Sequence, residues 1–391
     1  MRTALIGASG FLGSEAWRTL SADPDFEVVP FARSTGNSWE LLRQGITPNR
    51  LDLMDQAATV EALKGFDAIA NCSRTSGPEM APTIRNLLAA AKANGVRRLV
   101  HISSVAIYGD PPVPESVTEA APPAPNSNYG RFKLGQDRLV EEAAREGLGA
   151  VILCPPNITG PGSGFLCDAL DALRAGQLPL VEEGRLPLST VDVGNLAHAI
   201  ACALKSDVGG GRRFFITDPG PVTWADLVAE LAQLPPPFPA PGAIDRATLA
   251  AMRDALADPE PSLGKAVGRL ISGDVRKALI AEPWWAARLG AAKKLVGGLP
   301  PIIAEPLKAA ISKPASVPRR HRWAGINVRL VAQQLRGVAH SSAAAEAELG
   351  YRPPWSFARS MAAFRRWHAT LRPPAFEAGL PVEHGANRPA A

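Results

Sequence analysis

The sequence predicts an α/β protein built on a doubly wound parallel sheet, with a smaller, mostly helical C-terminal region. Three observations carry this expectation. Short β-rich runs alternate with helical stretches as far as residue 155. The turn Gly7-Ala8-Ser9-Gly10-Phe11-Leu12-Gly13 stands between the first such run and the first helical stretch. The 391 residues are 46% hydrophobic and 20% charged, enough to bury a sizeable core and too apolar for wholesale disorder.

The elements follow in order. Candidate strands are Thr3–Ile6, Glu27–Phe31, Arg50–Leu51, Ala68–Asn71, Leu99–Ile102 and Ala150–Leu153. Helical patterns fill the intervals at Phe11–Leu20, Gln56–Leu63, Thr83–Ala93 and Tyr129–Arg145. Strands separated by helices of this length imply parallel crossovers. Residues 1–155 are therefore expected to form a dinucleotide-binding core. Residues 156–372 are expected to form a substrate-binding region interleaved with that core, with a helical insertion at about 240–320 and a loose tail at 373–391. Within this part the rhythm breaks in a Pro-rich stretch, Leu234 to Gly242. Residues 243–313 read as Ala/Leu-rich helices and 327–369 as a compact α/β ending. Proline concentrates at 111–125, 234–242 and 300–318, marking loops and linkers. There is no internal repeat.

Composition narrows the function classes. Lys and Arg number 42 against 37 Asp and Glu, a net charge of +5 scattered along the chain. A nucleic-acid binder would need a basic face, and none is written here. Cys72, Cys154, Cys167 and Cys202 occur singly, which argues against a metal knuckle or a disulfide framework and fits a reducing cytosol. No metal site is expected. Met1-Arg2 leads at once into a strand and glycines rather than a targeting segment, and no apolar run reaches the ~18 residues needed to span a bilayer. A cytoplasmic location is expected.

The glycine turn is the first candidate site. Gly7 permits the tight turn, Gly10 a close approach to a pyrophosphate, and Gly13 close packing of helix on strand, while the helix N-terminus faces the anion. Ser9, Phe11 and Leu12 belong to the same cradle. The second strand ends at Arg33, about 20 residues on, where an acid that grips the ribose 2′-hydroxyl of NAD is usual; a guanidinium suits a 2′-phosphate instead. The cofactor is thus NADP or NAD, with Arg33 favouring NADP. Asp52 and Leu53, after the third strand, are candidates to flank the adenine, with Asp52 accepting from its amino group; a solvated turn is the close alternative for Asp52.

Tyr129-Gly130-Arg131-Phe132-Lys133 gives Y-x-x-x-K at the start of a helix. Residues four apart share a helical face, and a nearby cation favours the phenolate of an otherwise weak acid–base group. Lys133 is also a candidate to bind the nicotinamide ribose. Ser104 follows the strand ending at Ile102, at the sheet edge where open α/β folds place ligands, and its hydroxyl would orient a substrate oxygen. A lone Y-x-x-x-K is commonly surface decoration. The combination with the turn and the strand-end serine is not.

Together these residues resemble the extended short-chain dehydrogenase/reductase superfamily, the NAD-dependent epimerases and dehydratases, over about residues 1–232 and 327–369. Within it the chain looks most like the 3β-hydroxysteroid and sterol-4-carboxylate dehydrogenase branch. Pro155-Pro156-Asn157-Ile158-Thr159-Gly160-Pro161-Gly162 is similar to that branch's R-P-x-x-x-Y-G-x-G segment beside the nicotinamide, which adds Pro155 and Asn157 to the cofactor candidates. Val191 to Ala199 is similar to its V-x-V-x-N-V-A-x-A helix start, and Ala345 to Pro353 to its closing K-A-x-x-x-L-G-Y-x-P. The resemblance implies a Rossmann fold and a catalytic Ser104, Tyr129 and Lys133. Cys154 stands for the usual Arg and Thr159 for the usual Tyr. Val105 and Ala106 stand where the family's dehydratases place Asp-Glu, which argues against dehydration.

The resemblance implies an NAD(P)-dependent dehydrogenase or ketone reductase acting on a bulky lipophilic, sterol-like small molecule. The alternative is a nucleotide-sugar epimerase using the same Ser-Tyr-Lys group. Arg185 is its candidate diphosphate contact, set against the adjacent Glu182 and Glu183. A non-catalytic dinucleotide-binding protein ranks third. Trp284, Trp285, Lys293 and Lys294 fit peripheral membrane contact through 283–312, with an inward-packed lid as the plainer alternative. The oligomeric state is open, a homodimer being compatible. His101 and His198, with no acidic partner at ligand spacing, are expected in ordinary packed positions.

Overall fold

Strand β1 (Arg2–Ile6) is buried along four of its five residues, as the central strand of a sheet covered on both faces must be. In the computed structural model it pairs in parallel with β2 (Glu27–Ala32) on one side and β4 (Ala68–Asn71) on the other. β3 (Asn49–Arg50) extends the β2 edge. β5 (Arg98–Ile102), β6 (Gly149–Cys154) and β10 (Arg212–Phe215) follow β4, giving the order β10-β6-β5-β4-β1-β2-β3, parallel throughout. The direction of winding reverses between β1 and β4, so a crevice is expected at their carboxyl ends. The structure describes residues 1–244, apart from 35, 37, 76, 110, 111, 113–117 and 236, together with 248 and 325–371.

Helices cover both faces. α1 (Phe11–Ser21) and α7 (Val193–Lys205) pack on one, where Leu5, Leu12, Leu20, Val100, Val151, Leu196 and Ile200 form a core. A short α2 (Trp39–Leu42) precedes β3. α3 (Gln56–Ala62), α4 (Met80–Ala93) and α5 (Asn128–Arg145) cover the other face around Ile69, Ile84, Leu87, Leu99, Leu134 and Ile152. α4 begins before the expected Thr83 because Pro82 falls in its first turn, where no backbone N–H is needed.

A separate core lies around α6 (Gly164–Arg174), α8 (Trp224–Leu231), α9 (Val328–Gln334) and α11 (Phe357–Thr370), with Trp224, Leu227, Leu330, Met361 and Phe364 buried. Beside it β7 (Asn157–Thr159) pairs with β9 (Thr190–Asp192), and β8 (Leu180–Val181) with β11 (Ala243–Ile244). α10 (Ala343–Glu348) joins the α1–α7 core through Ala345. The closing stretch 327–369, expected as α/β, is helical in α9, α10 and α11, with no strand among its described residues. Its apolar positions follow helical spacing, and Ser356 caps α11 by accepting from Arg359 N at 3.3 Å.

A buried polar joint links these parts. Asp218 accepts from Asp192 N at 2.7 Å, Asn195 Nδ2 at 2.6 Å and Thr190 Oγ1 at 2.9 Å. Asp192 in turn accepts from Ser360 Oγ at 2.5 Å, and Ser360 shares a 2.8 Å hydrogen bond with Thr159. Asn195 clamps the Trp355 backbone with both ends of its amide, at 2.8 and 2.9 Å. The expected insertion at 240–320 (beyond 244, except 248), the 283–312 segment with its Trp pair, and the 373–391 tail lie outside the described residues. Among the described residues no helix is long and apolar enough to cross a membrane.

Candidate active site

The glycine turn sits at the carboxyl end of β1, held by Gly7 N and Ala8 N, which both donate to Phe31 O at 2.9 Å. Gly7 has φ +81°, and a Cβ there would come within 2.8 Å of the Cys72 and Ser73 backbone. A Cβ on Gly13 would lie 2.0 Å from the Gly7 carbonyl oxygen. No other residue fits either position. Gly10 caps α1 in an extended conformation without any side-chain hydrogen bond, so the first-turn N–H groups of Phe11, Leu12 and Gly13 have no side-chain cap. That is the donor set an anion at a helix N-terminus requires. Ser9 is half-buried in the turn, and Phe11 lies beside Gly162.

The other cofactor candidates spread along the same sheet edge. Arg33 is exposed just beyond β2, two residues after the Phe31 carbonyl that anchors the turn. Asp52 accepts from Met54 N at 3.0 Å, closing a local turn. Leu53 is buried in the core, and its carbonyl accepts from Asn86 Nδ2 at 2.8 Å. Pro155 O accepts from Val105 N at 3.2 Å, and Asn157 Nδ2 reaches Ser189 O at 3.4 Å.

Ser104, Tyr129 and Lys133 converge at the ends of β5 and α5. Ser104 is extended, with φ −163°, and its Oγ accepts from Ala106 N at 3.2 Å, starting a 3-10 turn over Val105–Tyr108. The hydroxyl lies near enough to the Tyr129 phenol to pull its pKa down. Lys133 Nζ donates to Ile102 O at 2.9 Å. Sequence reasoning passed over the residue that allows this approach. A Cβ on Gly130 would stand 2.4 Å from the Ala106 carbonyl oxygen and 3.0 Å from Pro125 Cβ. Ser127 completes the start of α5 by accepting from Gly130 N at 3.1 Å.

The electrostatics differ from the expectation in one respect. The Tyr129 phenol is raised, not lowered, because desolvation outweighs the nearby Ser104 hydroxyl and the Arg74 guanidinium, which both pull it down. Arg74, exposed just past β4, is a cation that the sequence reading did not single out. Lys133, 7% exposed, is lowered to about 8 by burial, with Asp137 and Cys154 opposing. Cys154 is buried and inert, its thiol raised well above the ordinary value by desolvation.

His101 is buried, as expected of a packed position, but with an acid near it. Asp137, brought in from α5, places Oδ1 3.8 Å from His101 Nε2. The pair is far apart in sequence, so spacing could not reveal it. His198 packs by the Tyr351 ring with Cys202 Sγ 3.5 Å from its Nε2. Arg185 pairs with Glu183, and Glu182 and Glu183 both hold left-handed backbone, φ 48° and 59°. Among the described residues no cluster of His, Cys, Asp and Glu could hold a metal ion.

A family model described as the NAD dependent epimerase/dehydratase family matches residues 4–216. The chain is 29% identical over 244 residues to an N-acetyl-α-D-glucosaminyl-diphospho-ditrans,octacis-undecaprenol 4-epimerase of Escherichia coli O157:H7, covering 59% of this chain and 71% of the relative. It is 30% identical over 255 residues to a 2-alkyl-3-oxoalkanoate reductase of Stenotrophomonas maltophilia, covering 59% and 74%. Among solved structures, a UDP-glucuronic acid 4-epimerase from Bacillus cereus in complex with NAD superimposes with a TM-score of 0.61 at 14% identity, covering 95% of this chain and 99% of that one. That likeness concerns the fold.

Proposed function

This chain belongs to the NAD dependent epimerase/dehydratase family and is an NAD(P)-dependent enzyme, and from that premise we propose that it transfers a hydride between nicotinamide and a secondary alcohol or ketone on a bulky lipophilic substrate. The observation that carries this reading is the position of Ser104 just past the end of β5, with Tyr129 in the first turn of α5 and the Lys133 ammonium, bound to the Ile102 carbonyl, one helical turn further along. The uncapped N-terminus of α1 and the two obligatory glycines fit a dinucleotide pyrophosphate. Gly7, Ser9, Gly10, Phe11, Leu12 and Gly13 would hold that group, Arg33 the adenosine ribose with preference for a 2′-phosphate, and Lys133 the nicotinamide ribose. The bound cofactor supplies the hydride acceptor or donor. Ser104, its hydroxyl fixed by Ala106 N–H, orients the substrate oxygen. Tyr129 gives that oxygen a proton on reduction or takes it on oxidation. In the raised state of its phenol it is an acid at neutral pH, which suits reduction.

Two features support a lipophilic substrate. Tyr129 and Phe132 are 48% and 38% exposed and lie three residues apart on α5, so apolar ring surface borders the phenol. Both relatives carry an undecaprenol or an alkyl chain in the names of their substrates. The finer likeness to the 3β-hydroxysteroid and sterol-4-carboxylate branch points to a ring-bearing alcohol. Two of the three stretches behind it serve the scaffold: Asn195 clamps Trp355, and Tyr351 donates to Thr217 O at 3.2 Å. The second reading, a sugar 4-epimerase, is favoured by the likeness to the undecaprenol-linked 4-epimerase. It is disfavoured by Arg185, whose charge is engaged by Glu183.

The test is a screen of purified protein against sterol, aryl, 3-oxoacyl and sugar-nucleotide compounds, following nicotinamide absorbance with added NADPH or NADH. Tyr129→Phe is expected to lower turnover by about 10²–10⁴-fold while cofactor affinity stays nearly unchanged. Undiminished turnover in that variant would refute the assignment. Tightly retained cofactor with no turnover of added NADPH would favour the epimerase.

A further inference from the structure

Beneath the Ser104–Tyr129–Lys133 group lies a chain of buried polar groups that the reading above leaves unused. Asp137, one turn beyond Lys133 on α5, is 0% exposed. Its Oδ2 accepts from Ser103 Oγ at 2.8 Å and from Arg213 Nε at 3.3 Å, and Arg213 is braced by Glu141 at 2.5 Å. Its Oδ1 has no hydrogen-bond partner among the described residues, and neither has His101 Nε2, which faces it at 3.8 Å.

The orientation of that imidazole follows from its neighbours. Asn71 Oδ1 accepts from Ser73 N at 3.2 Å and Ser73 Oγ at 2.6 Å. The other end of the amide, Nδ2, therefore donates to His101 Nδ1 at 3.1 Å. A neutral imidazole accepting at Nδ1 carries its proton on Nε2, and burial and the Lys133 charge hold His101 well below its ordinary value, hence neutral. The Nε2–H thus points at Asp137. Ser103 O–H and Arg213 N–H donate to this carboxylate and favour its ionised form, against the burial that raises it to about 6.

Lys133 is the group that needs such a neighbour. Its ammonium is almost wholly buried, and the acceptor it reaches is the Ile102 carbonyl. One carbonyl does not offset the desolvation of an ammonium. Resting on the dehydrogenase reading, we propose that Asp137 is a positioning residue for Lys133: a buried counter-charge, fixed by Ser103, Arg213 and the Ser73–Asn71–His101 chain, that keeps the lysine charged and aimed at its ribose site. The titratable groups around Asp137 are His101 from β5, Cys154 from β6, Arg213 from β10, Tyr108 from the 3-10 turn, and Lys133 and Tyr129 from its own helix. Of these Arg213 and Lys133 are cations at neutral pH. Arg213 is already shared with Glu141, and Arg74, which also acts on Lys133, is a cation that opposes its charge. Asp137 and Lys133 stand four residues apart on the buried face of α5, which puts the carboxylate one helical turn from the ammonium.

A merely structural Asp137, bolting α5 to β10, would change stability without changing the state of Lys133. The experiment is therefore a direct NMR titration of the Lys133 Nζ in 15N-lysine-labelled protein without cofactor, assigned with Lys133→Met, in wild type, Asp137→Asn and Asp137→Glu. Wild type is expected to titrate near 8. Asp137→Asn should move that midpoint down by about one pH unit or more, and Asp137→Glu should restore most of it. The alkaline limb of kcat/KM should move in parallel. A midpoint unmoved in folded Asp137→Asn overturns the proposal. Should that variant not fold, 13C titration of the Asp137 carboxyl in wild type decides. Ionisation complete below neutral pH supports the counter-charge, and a carboxyl still protonated at pH 7 ends it. The lysine titration stands whether or not a substrate is found, so its failure is distinct from failure of the dehydrogenase reading.

Discussion

Gly130→Ala separates positioning from stability within one helix. The added Cβ would stand 2.4 Å from the Ala106 carbonyl oxygen, where ordinary contact begins near about 3.4 Å. The start of α5 must therefore retreat by about 1 Å, and Tyr129 rides on that first turn. A displacement of this size at a reacting group costs on the order of 100-fold in rate. The stability change is smaller. Overpacking costs roughly 1–3 kcal/mol, while replacing a helical glycine by alanine returns about 1 kcal/mol, leaving a net loss of about 0–2 kcal/mol. Gly135 provides the matched control. It lies on the same helix, and a Cβ added there would meet nothing within 4 Å, so Gly135→Ala should gain up to about 1 kcal/mol with turnover unchanged. The assay pairs urea unfolding with turnover followed by nicotinamide absorbance. Equal rates for both alanine variants would refute the claim that close approach of α5 to the Ala106 carbonyl sets the position of the phenol.

Two further outcomes are expected. Arg33→Asp should lower the NADP-over-NAD ratio of kcat/KM by about 10–100-fold, the worth of one charge-assisted hydrogen bond to a phosphate; an unchanged ratio removes the 2′-phosphate role. His340 is buried against the Phe215 ring and lowered to about 4, by desolvation first and the Arg336 charge second. Its unfolded value is near 6.5, so the unfolded chain binds the extra proton and stability falls as pH drops from about 6.5 to 4, by roughly 3 kcal/mol. His340→Phe should remove that component, seen as a flatter dependence of urea midpoint on pH. A slope identical to wild type would show that His340 is not its source.

The sheet and its crevice were legible because both depend on local signals. The glycine turn, the strand ending at Ile102 and the Y-x-x-x-K helix each declare themselves within a few residues, and their order places them at one edge. What escaped was what distant segments bring together. Gly130 reads as an unremarked helical glycine until the Ala106 carbonyl arrives above it. Asp137, which no motif singles out, gains its setting only when Arg213 arrives from β10 and His101 from β5. The effect of Lys133 on the phenol was misjudged for the same reason, since desolvation belongs to the packed state and has no signature in spacing. The closing segment 327–369, read as α/β, is helical, because its short apolar runs suit strand or helix until their partners are known.

The joint at Asp192 also has a temporal meaning. Its partner Ser360 is 168 residues away along the chain, and Trp355 is 160 residues from Asn195. During synthesis Asp192 and Asn195 can meet Asp218 early, but their contacts with Ser360 and Trp355 form only once residues 355–360 have left the ribosome. A nascent chain halted before Trp355 should remain protease-sensitive at β9, and release of α11 should act as the latch that ends that vulnerable interval.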